Sequence, residues 1–358
     1  MKVVFFLLFT MTVGQVTLAA PLSIQEAWTG VSLPSIMSED FLYDFHLLPA
    51  GGAAKGSKKF WSGDYWAKRS GSINLRWNDP SRSGYYRYSP SKEQAMKMSL
   101  QELSRLSPSE KYDLFTGRYH YPVKDEVALN SDPRAERWEG ICHGWAPATM
   151  NHNEPTPKNM VNPDGIVIPF GSSDIKALLS YYYAFEFKVA NTHQMGRRCN
   201  GSGRLGRMTN SFDCGQDLNA GAFHVVLANK IGIAGEGFIA DMERTTQVWN
   251  HPIHSYYTRV LRVRRRGMRS APGTMNVIRV ATTLTYVNET ANYWQPIIGT
   301  TGQRMVTKEF VYDLDINAFG QIIGGEWISN NHPDFLWTTE KALIWVGEFD
   351  RLHELLND

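Results

Sequence analysis

The sequence has few cysteines, no long hydrophobic run and no excess of one charge. With only three cysteines, at least one is left without a disulfide partner inside the chain. No apolar stretch is long enough to span a bilayer as a helix. Because 37 Lys and Arg nearly balance 35 Asp and Glu, the net charge of +2 gives no whole-chain argument for nucleic-acid binding. The sequence also lacks an internal repeat and a Gly-rich phosphate loop, whereas its many aromatic residues indicate a folded chain.

Residues 1–20 have the pattern of a secretory signal peptide. Lys2 supplies the positive charge, an apolar run follows, and a small-residue exit precedes Pro21. We therefore expect an exported protein, secreted or periplasmic, with no membrane span and no nucleic-acid partner.

Export decides how the cysteines are interpreted, because thiols in an oxidising compartment pair unless something prevents it. Cys199 and Cys214 flank a loop rich in Gly, Arg and Ser. A disulfide between them would contribute about 3 kcal/mol in the chain-entropy model. We predict this disulfide, which leaves Cys142 unpaired. An intermolecular bridge through Cys142 is the alternative.

The chain is expected to be helical first and sheet second. Residues 21–90 are aromatic and Gly-rich with little periodicity, which predicts an N-terminal extension that wraps the catalytic part or acts as an inhibitory pro-region. Residues 91–350 form the expected catalytic domain, with a helical lobe to about residue 220. Helices are predicted from Ser91 through Leu106, from Ser107 and from Ser172. Strands are predicted at 223–229, 238–241, 257–263, 276–286, 306–313 and 321–328. This order predicts an α+β fold.

Cys142 stands among Gly, Trp and His residues at the start of a predicted helix. Backbone N–H groups at a helix N-terminus lower the pKa of a thiol and make it nucleophilic. The alternative is a buried structural cysteine beside Trp138 and Trp145. Pro147 predicts that the helix is short or interrupted.

A thiol nucleophile needs a base, and the base needs an orienting partner. His224 is the candidate base because it opens an apolar run, where an imidazole is costly without a polar partner. If the Gly-rich segment 231–237 closes a hairpin, His224 lies opposite Asp241 on one face of the sheet. Asp241 is therefore the predicted orienter, and Asn250 is the alternative. The structural alternatives are a satisfied core histidine and a turn or strand-end aspartate.

Two further patterns favour a structural interpretation. Six arginines from Arg259 to Arg269 are typical of a surface for nucleic acid or acidic polymers. Their alternation with apolar residues indicates instead a strand with one solvated charged face. Asp313 begins a stretch similar to a calcium loop, but the loop's glycine and glutamate are missing. A hairpin turn at 317–320 explains that stretch more simply.

Four ordered blocks resemble the transglutaminase elicitor family of secreted proteins, which is known from plant-pathogenic oomycetes and also found in bacteria. They are residues 138–149, 217–224, 248–253, and 323–328 leading to 332–337. The third block is similar to a surface peptide that plants perceive, with His251 where that peptide has Gln. The resemblance spans roughly residues 60 to 345.

The resemblance implies a papain-like fold whose Cys-His-Asp triad transfers the acyl group of a protein glutamine to lysine or to a small primary amine. It places the nucleophile on Cys142, the base on His224 and the acid on Asp241, in agreement with the residue-level prediction. A role for Ca²⁺ is implied by the family alone.

In this mechanism, the Cys142 thiolate attacks the γ-carboxamide carbon and His224 protonates the departing ammonia. The papain-like pattern places a Gln shortly before the cysteine as oxyanion donor; none is present, so the Trp138 indole is the candidate. Trp138, Trp145 and Trp249, with Asn250 beside them, are expected to wall a water-poor tunnel. A cysteine protease or glutamine deamidase would use the same triad. A secreted glycan- or protein-recognition protein would need no free thiol.

Overall fold

The structure is a computed structural model that describes residues 28, 30–55, 60–85, 88–187, 192–198 and 218–357. The predicted signal peptide and the predicted Cys199–Cys214 disulfide lie outside these residues.

Helices dominate the first part of the described chain. They are α1 Lys92–Ala95, α2 Leu100–Ser104, α3 Pro108–Phe115, α4 Pro122–Leu129, α5 Cys142–Asn151 and α6 Ser172–Tyr181. Ser91, Ser99 and Ser107 each close a capping box at the start of α1, α2 and α3. The predicted helix starts at 91, 107 and 172 are therefore confirmed. The single helix predicted through Leu106 is wrong, because the Ser99 cap begins a second helix.

Short helical turns complete the helical part. The 3₁₀ turns are Pro34–Ile36, Lys68–Ser70, Ser72–Asn74, Gly347–Phe349 and Leu352–Leu355, and π-helical turns are Tyr182–Glu186 and Ala228–Ala234. Across the residues that the structure describes, no helix combines the length and the apolar character needed to cross a membrane.

The second part of the chain builds an antiparallel sheet. The strands are β1 Gly51–Ala53, β2 Lys158–Val161, β3 Val167–Phe170, β4 His193–Gly196, β5 Phe238–Asp241, β6 Asn250–Arg265, β7 Asn276–Val287, β8 Met305–Ile316, β9 Ile322–Trp327 and β10 Phe335–Thr338. The main sheet has the order β4-β10-β5-β6-β7-β8-β9, with β1 beside β6, and β2 pairs with β3 separately. The predicted α+β class is confirmed, and five of the predicted strands correspond to β5–β9.

The predicted strand at 223–229 is wrong. Ala220–Leu227 is a helix, α7, and the Asn219 side-chain oxygen caps it by accepting the N–H groups of Gly221 and Ala222 at 2.9 and 3.2 Å. Every residue of α7 is buried. An apolar run of this length does not distinguish a buried helix from a buried strand, because both lack a polar face.

The main sheet separates two hydrophobic cores. Ile239 belongs to the core that contains α5 and α6, whereas its neighbours Phe238 and Ala240 belong to the core that contains α7. Successive side chains of a strand point to opposite faces. In agreement with this, the ring of Phe223 on α7 lies 6.5 Å from the ring of Phe238. Helices α5 and α7 therefore lie on opposite faces at β5.

Two glycines allow the close packing that fixes these helices. A Cβ on Gly144 of α5 would lie 1.9 Å from the carbonyl oxygen of Ser180 on α6. A Cβ on Gly221 of α7 would lie 2.1 Å from the carbonyl oxygen of Gly324 on β9. Neither position has room for a side chain. The backbone of each helix therefore packs directly against the backbone of its neighbour.

The aromatic segment before α1 enters the core and holds α5. Trp61 is fully buried. Its backbone oxygen accepts the Thr149 hydroxyl at 2.8 Å, and its indole N–H donates to the carbonyl oxygen of His152 at 3.0 Å. This part of the N-terminal extension therefore fixes the C-terminal end of the helix that begins at Cys142.

Candidate active site

Cys142 is the first residue of α5 and is only 5% exposed. The preceding residue, Ile141, is anchored by its N–H, which donates to the carbonyl oxygen of Tyr65 at 2.7 Å. In the first turn of a helix, backbone N–H groups have no intrahelical acceptor. The N–H groups of Cys142 and His143 are therefore candidate donors to a ligand. Pro147 lies inside the ten-residue helix.

The side chain of Asn250, at the start of β6, contacts the thiol. Its Nδ2 lies 3.6 Å from the Cys142 Sγ, and its Oδ1 accepts the indole N–H of Trp337 at 2.8 Å. An indole nitrogen can only donate, so the amide oxygen faces Trp337 and the amide N–H₂ faces the sulfur. Strand β10 thus fixes the orientation of a hydrogen-bond donor beside the thiol.

Asp241 holds the backbone next to the thiol. It is fully buried on β5 and pairs with Asn250 across the β5–β6 ladder. Its Oδ1 accepts the N–H of Trp249 at 3.1 Å. The carbonyl oxygen of Val248, one residue earlier, lies 3.7 Å from the Cys142 Sγ. Burial raises the pKa of the Asp241 carboxyl to about 7.

The structure does not bring His224 to Cys142 or to Asp241. His224 lies on α7, and the hairpin predicted to place it opposite Asp241 is wrong because Asp241 pairs with Asn250. The His224 Nδ1 lies 2.8 Å from the Tyr312 hydroxyl, which in turn lies 2.7 Å from the Thr282 hydroxyl. Burial lowers the pKa of the His224 imidazole to about 4. These contacts are those of a hydrogen-bonded core histidine.

The three predicted tunnel tryptophans have different environments. Trp145 is fully buried one turn after Cys142, so it packs beneath the site. Trp249 is half-buried, and its ring lies 5.3 Å from the ring of Tyr65. Trp138 is half-buried in the turn before Ile141. Trp249 follows Val248, whose carbonyl oxygen contacts the thiol, and the Tyr65 carbonyl oxygen accepts the N–H of Ile141, so this aromatic pair adjoins the residues next to Cys142.

Comparison with known protein families gives a match that includes these residues. A family profile described as "Transglutaminase elicitor" matches residues 131–343, which is more than half of the chain and includes α5, β5 and β6. The chain belongs to the transglutaminase elicitor family. No match is found among curated proteins.

A solved structure supports the fold assignment. The crystal structure of the GP42 transglutaminase from Phytophthora sojae matches with a TM-score of 0.66 and 21% sequence identity. The match covers 92% of this chain and 98% of that chain. The two chains therefore share their fold over nearly their whole length.

The block similar to the family's surface peptide is largely interior in this chain. Residues 250–253 are buried at the start of β6. His251 packs edge-on to Trp145, with ring centroids 6.4 Å apart, and its ring lies 4.8 Å from that of Tyr286. In this member of the transglutaminase elicitor family, the block forms part of the site and of the core.

The sequence did not identify one further polar pair, which lies where β6 begins and β7 ends. The His251 Nδ1 lies 3.9 Å from the Glu289 Oε1. Burial raises the pKa of the Glu289 carboxyl to about 7, and the charge of Asp64 raises it further. His251 precedes a proline, which is typical of a loop, and Glu289 lies within an Asn-Glu-Thr sequon. Only the strand pairing brings them together.

The resting thiol of Cys142 is protonated at neutral pH. Burial raises its pKa to about 11, and the charges of Glu289 and Asp241 also raise it, whereas hydrogen bonds from Asn250 lower it. Burial is the largest of these effects on the pKa of the Cys142 thiol.

The stretch that begins at Asp313 does not fit a calcium site. Asp313 Oδ1 accepts from Arg279 Nε at 2.6 Å, and its Oδ2 accepts from Arg264 Nη2 at 3.0 Å. The turn at 317–320 is closed by the Gly320 N–H, which donates to the Asn317 carbonyl oxygen at 3.2 Å. Within the described part of the chain, no group of three or more His, Cys, Asp or Glu is arranged to hold a metal ion.

Proposed function

We propose that this protein is a transglutaminase that transfers the acyl group of a protein glutamine to a primary amine, usually that of lysine, through a thioester on Cys142. One observation carries the proposal: Cys142 begins α5 while the Asn250 amide N–H₂ is held 3.6 Å from its sulfur. Membership of the transglutaminase elicitor family supports the same chemistry. Residues 1–20 support export, so the expected substrates are extracellular or periplasmic proteins.

The chemistry has two half-reactions. In the first, Sγ bonds to the γ-carboxamide carbon, the C–N bond breaks and ammonia leaves with the proton of the thiol. In the second, a neutral amine attacks the thioester, its proton passes to the departing sulfur, and the thiol is restored. Both tetrahedral intermediates carry an oxyanion next to Sγ.

Donors to this oxyanion are available on two elements. The N–H of Cys142 belongs to the first turn of α5, and Asn250 Nδ2 is fixed by the bond from Trp337. Asn250 therefore takes the role that the sequence assigned to the Trp138 indole. Preorganised donors of this kind are worth about 2.7–4 kcal/mol of transition-state stabilisation each.

Choice of an amine over water requires a dry entrance. Tyr65 and Trp249 pack their rings together beside the residues that contact Cys142, and the Tyr65 hydroxyl donates to the Arg137 carbonyl oxygen at 2.8 Å. An aromatic pair excludes water from a thioester and contacts the alkyl chain of a lysine. This arrangement favours transfer over hydrolysis.

The test is incorporation of a labelled primary amine into a glutamine-rich protein, with calcium added or chelated. Loss of incorporation in Cys142→Ala, with retention in the exposed control Leu129→Ala, supports the proposal. Glutamate formation without incorporation identifies a deamidase, and peptide-bond cleavage identifies a protease. Full activity of Cys142→Ala would exclude the thioester mechanism.

A further inference from the structure

The arginine-rich part of β6 forms an edge of the main sheet. On one side of β6, β5 pairs with residues 250–253 and β1 pairs with residues 255–257. The Thr258 N–H donates to the carbonyl oxygen of Ala50 at 2.6 Å. Among the described residues, β6 from Arg259 to Arg265 pairs with β7 alone. An edge strand presents unpaired backbone N–H and C=O groups to solvent.

This edge segment, residues 259–265, is partly apolar. Val260 and Val263 are 52% and 61% exposed. They lie opposite Val280 and Ile278 of β7, which are buried in the core that contains α7. Residues opposite each other in a ladder point to the same face of the sheet. The apolar face of the sheet therefore continues to the edge segment and is exposed there.

The charge of this part of the chain is only partly compensated. Arg259 pairs with Glu309 and Arg264 pairs with Asp313, each at 3.0 Å. Three exposed arginines have no carboxylate within ion-pair distance among the described residues: Arg262, Arg265 and Arg266. Uncompensated positive charge along an edge favours a partner of negative charge.

We propose that the edge segment binds an extended, acidic segment of a partner protein by strand addition. In this binding mode, the backbone of the partner pairs with the free N–H and C=O groups of β6. Carboxylates of the partner pair with the arginines, and its apolar side chains pack against Val260 and Val263. The exposed apolar face and the uncompensated charge thus find complements in one kind of ligand.

Other occupants fit the edge segment less well. Two copies of this chain joined at this edge would bring arginines opposite arginines, and like charges directly opposite are destabilising. A nucleic acid would pair with the arginines through its phosphates. Phosphate oxygens only accept hydrogen bonds, so the edge C=O groups and the valines would have no partners.

The edge segment is remote from the candidate active site. Asn250, which contacts the thiol, begins β6, and Arg259 follows nine positions later. At about 3.4 Å per residue, the separation along the strand is about 30 Å. Binding at the edge segment is therefore measurable without reaction at Cys142, and its failure leaves the proposed function unaffected.

The test uses a labelled peptide of about eight alternating Glu and Val residues, long enough to form a strand. Its binding is followed by fluorescence anisotropy, and a matched peptide of alternating Arg and Val should bind at least about tenfold more weakly. Arg262→Glu/Arg265→Glu should weaken binding of the Glu–Val peptide at least about tenfold. The exposed control Lys97→Glu/Arg134→Glu changes the net charge equally and should bind as wild type does.

Val260→Pro separates strand addition from charge attraction. Because the Thr258 N–H faces the side of β1, the N–H of Val260, two positions later, faces the same side. Proline at Val260 therefore removes a free N–H of the edge without removing a hydrogen bond to β7. Val260→Pro should have an unfolding midpoint close to that of Val260→Ala and should bind the Glu–Val peptide about tenfold more weakly than Val260→Ala does.

Four outcomes would overturn the proposal. Equal binding by Val260→Pro and Val260→Ala would show attraction between charges without strand pairing. A single-stranded oligonucleotide that binds wild type as tightly as the Glu–Val peptide would identify a general polyanion surface. Dimerisation that Val260→Pro abolishes would assign the edge to a second copy of the chain. Absence of Glu–Val binding to wild type would show that the arginines only shield the edge from association.

Discussion

Titration of the Cys142 thiol is the most direct test of how the site is built. Between pH 6 and 9.5, the alkylation rate of Cys142 by iodoacetamide should keep rising about tenfold per pH unit without a plateau. The reason is that burial raises the pKa of this thiol to about 11, above the ordinary 9.0. A thiol activated by a helix N-terminus would instead level off near or below neutral pH.

The magnitude follows from the pKa difference. Two pKa units correspond to about 2.7 kcal/mol and to about 100-fold less thiolate at pH 7. A more basic thiolate is also more nucleophilic, with a Brønsted coefficient of about 0.4–0.5, which restores about tenfold. The expected net effect at pH 7 is therefore about tenfold slower alkylation than for an ordinary cysteine. The 5% exposure of Cys142 lowers the rate at every pH, so the shape of the profile is the informative quantity.

The assay is peptide-resolved mass spectrometry, which quantifies the Cys142 peptide separately from those of Cys199 and Cys214. A cysteine-containing model peptide in the same buffers is the reference. A plateau for Cys142 between pH 6 and 7.5 would refute the reasoning, because it would show a thiolate that the helix terminus stabilises more than burial destabilises it.

Three substitutions test other parts of the structure. Trp61→Ala should lower the free energy of unfolding, measured in urea, by about 3–5 kcal/mol, because the side chain is fully buried. The exposed control Leu129→Ala should change the free energy of unfolding by less than about 0.5 kcal/mol. A loss below about 1 kcal/mol in Trp61→Ala would show that the segment before α1 is not part of the core. Asn250→Ala should lower kcat for amine incorporation by about 10²–10³ through loss of an oxyanion donor, and an unchanged kcat would reject that role. Asp241→Asn keeps an oxygen that accepts the Trp249 N–H but cannot ionise. Because the folded pKa of Asp241 is raised to about 7 from 3.8, its ionisation costs stability as the pH rises from about 4 to 7. The variant should therefore gain in thermal unfolding midpoint over wild type between pH 5 and 8, and equal profiles would contradict the pKa assignment.

Local signals in the sequence were sufficient for much of the fold. Capping boxes at Ser91 and Ser107 predict helices because both partners lie within four residues. The alternating and apolar runs that became β6 to β9 are long enough to identify strands without knowledge of their neighbours. The odd cysteine pointed to Cys142, which stands at a helix N-terminus as predicted.

Local sequence patterns do not reveal which residues lie together in the candidate site. The run around His224 is apolar on all sides, so its period does not reveal a helix, and the predicted hairpin followed from that error. Asp241 still lies near the thiol, but because β5 pairs with β6 rather than with residues 220–227. His251 lies on β6 and Glu289 lies two residues after the end of β7, and the pairing of these strands places the two side chains 3.9 Å apart although 38 positions separate them in sequence. Strand register is a tertiary property.

Burial favours the neutral form of the Cys142 thiol and of the carboxyl groups of Asp241 and Glu289, and this protects the thiol from oxidation. Desolvation is the largest contribution to the raised pKa values of Cys142, Asp241 and Glu289, and it also raises that of Asp64. The charges of Glu289 and Asp241 raise the pKa of the Cys142 thiol in the same direction as burial does, so its resting form is the neutral thiol. Thiolates, not thiols, are oxidised readily. If residues 1–20 direct export as predicted, a protonated Cys142 is protected from oxidation in the oxidising compartment. In the proposed thioester chemistry, the thiol proton must therefore pass to an acceptor within the same buried space.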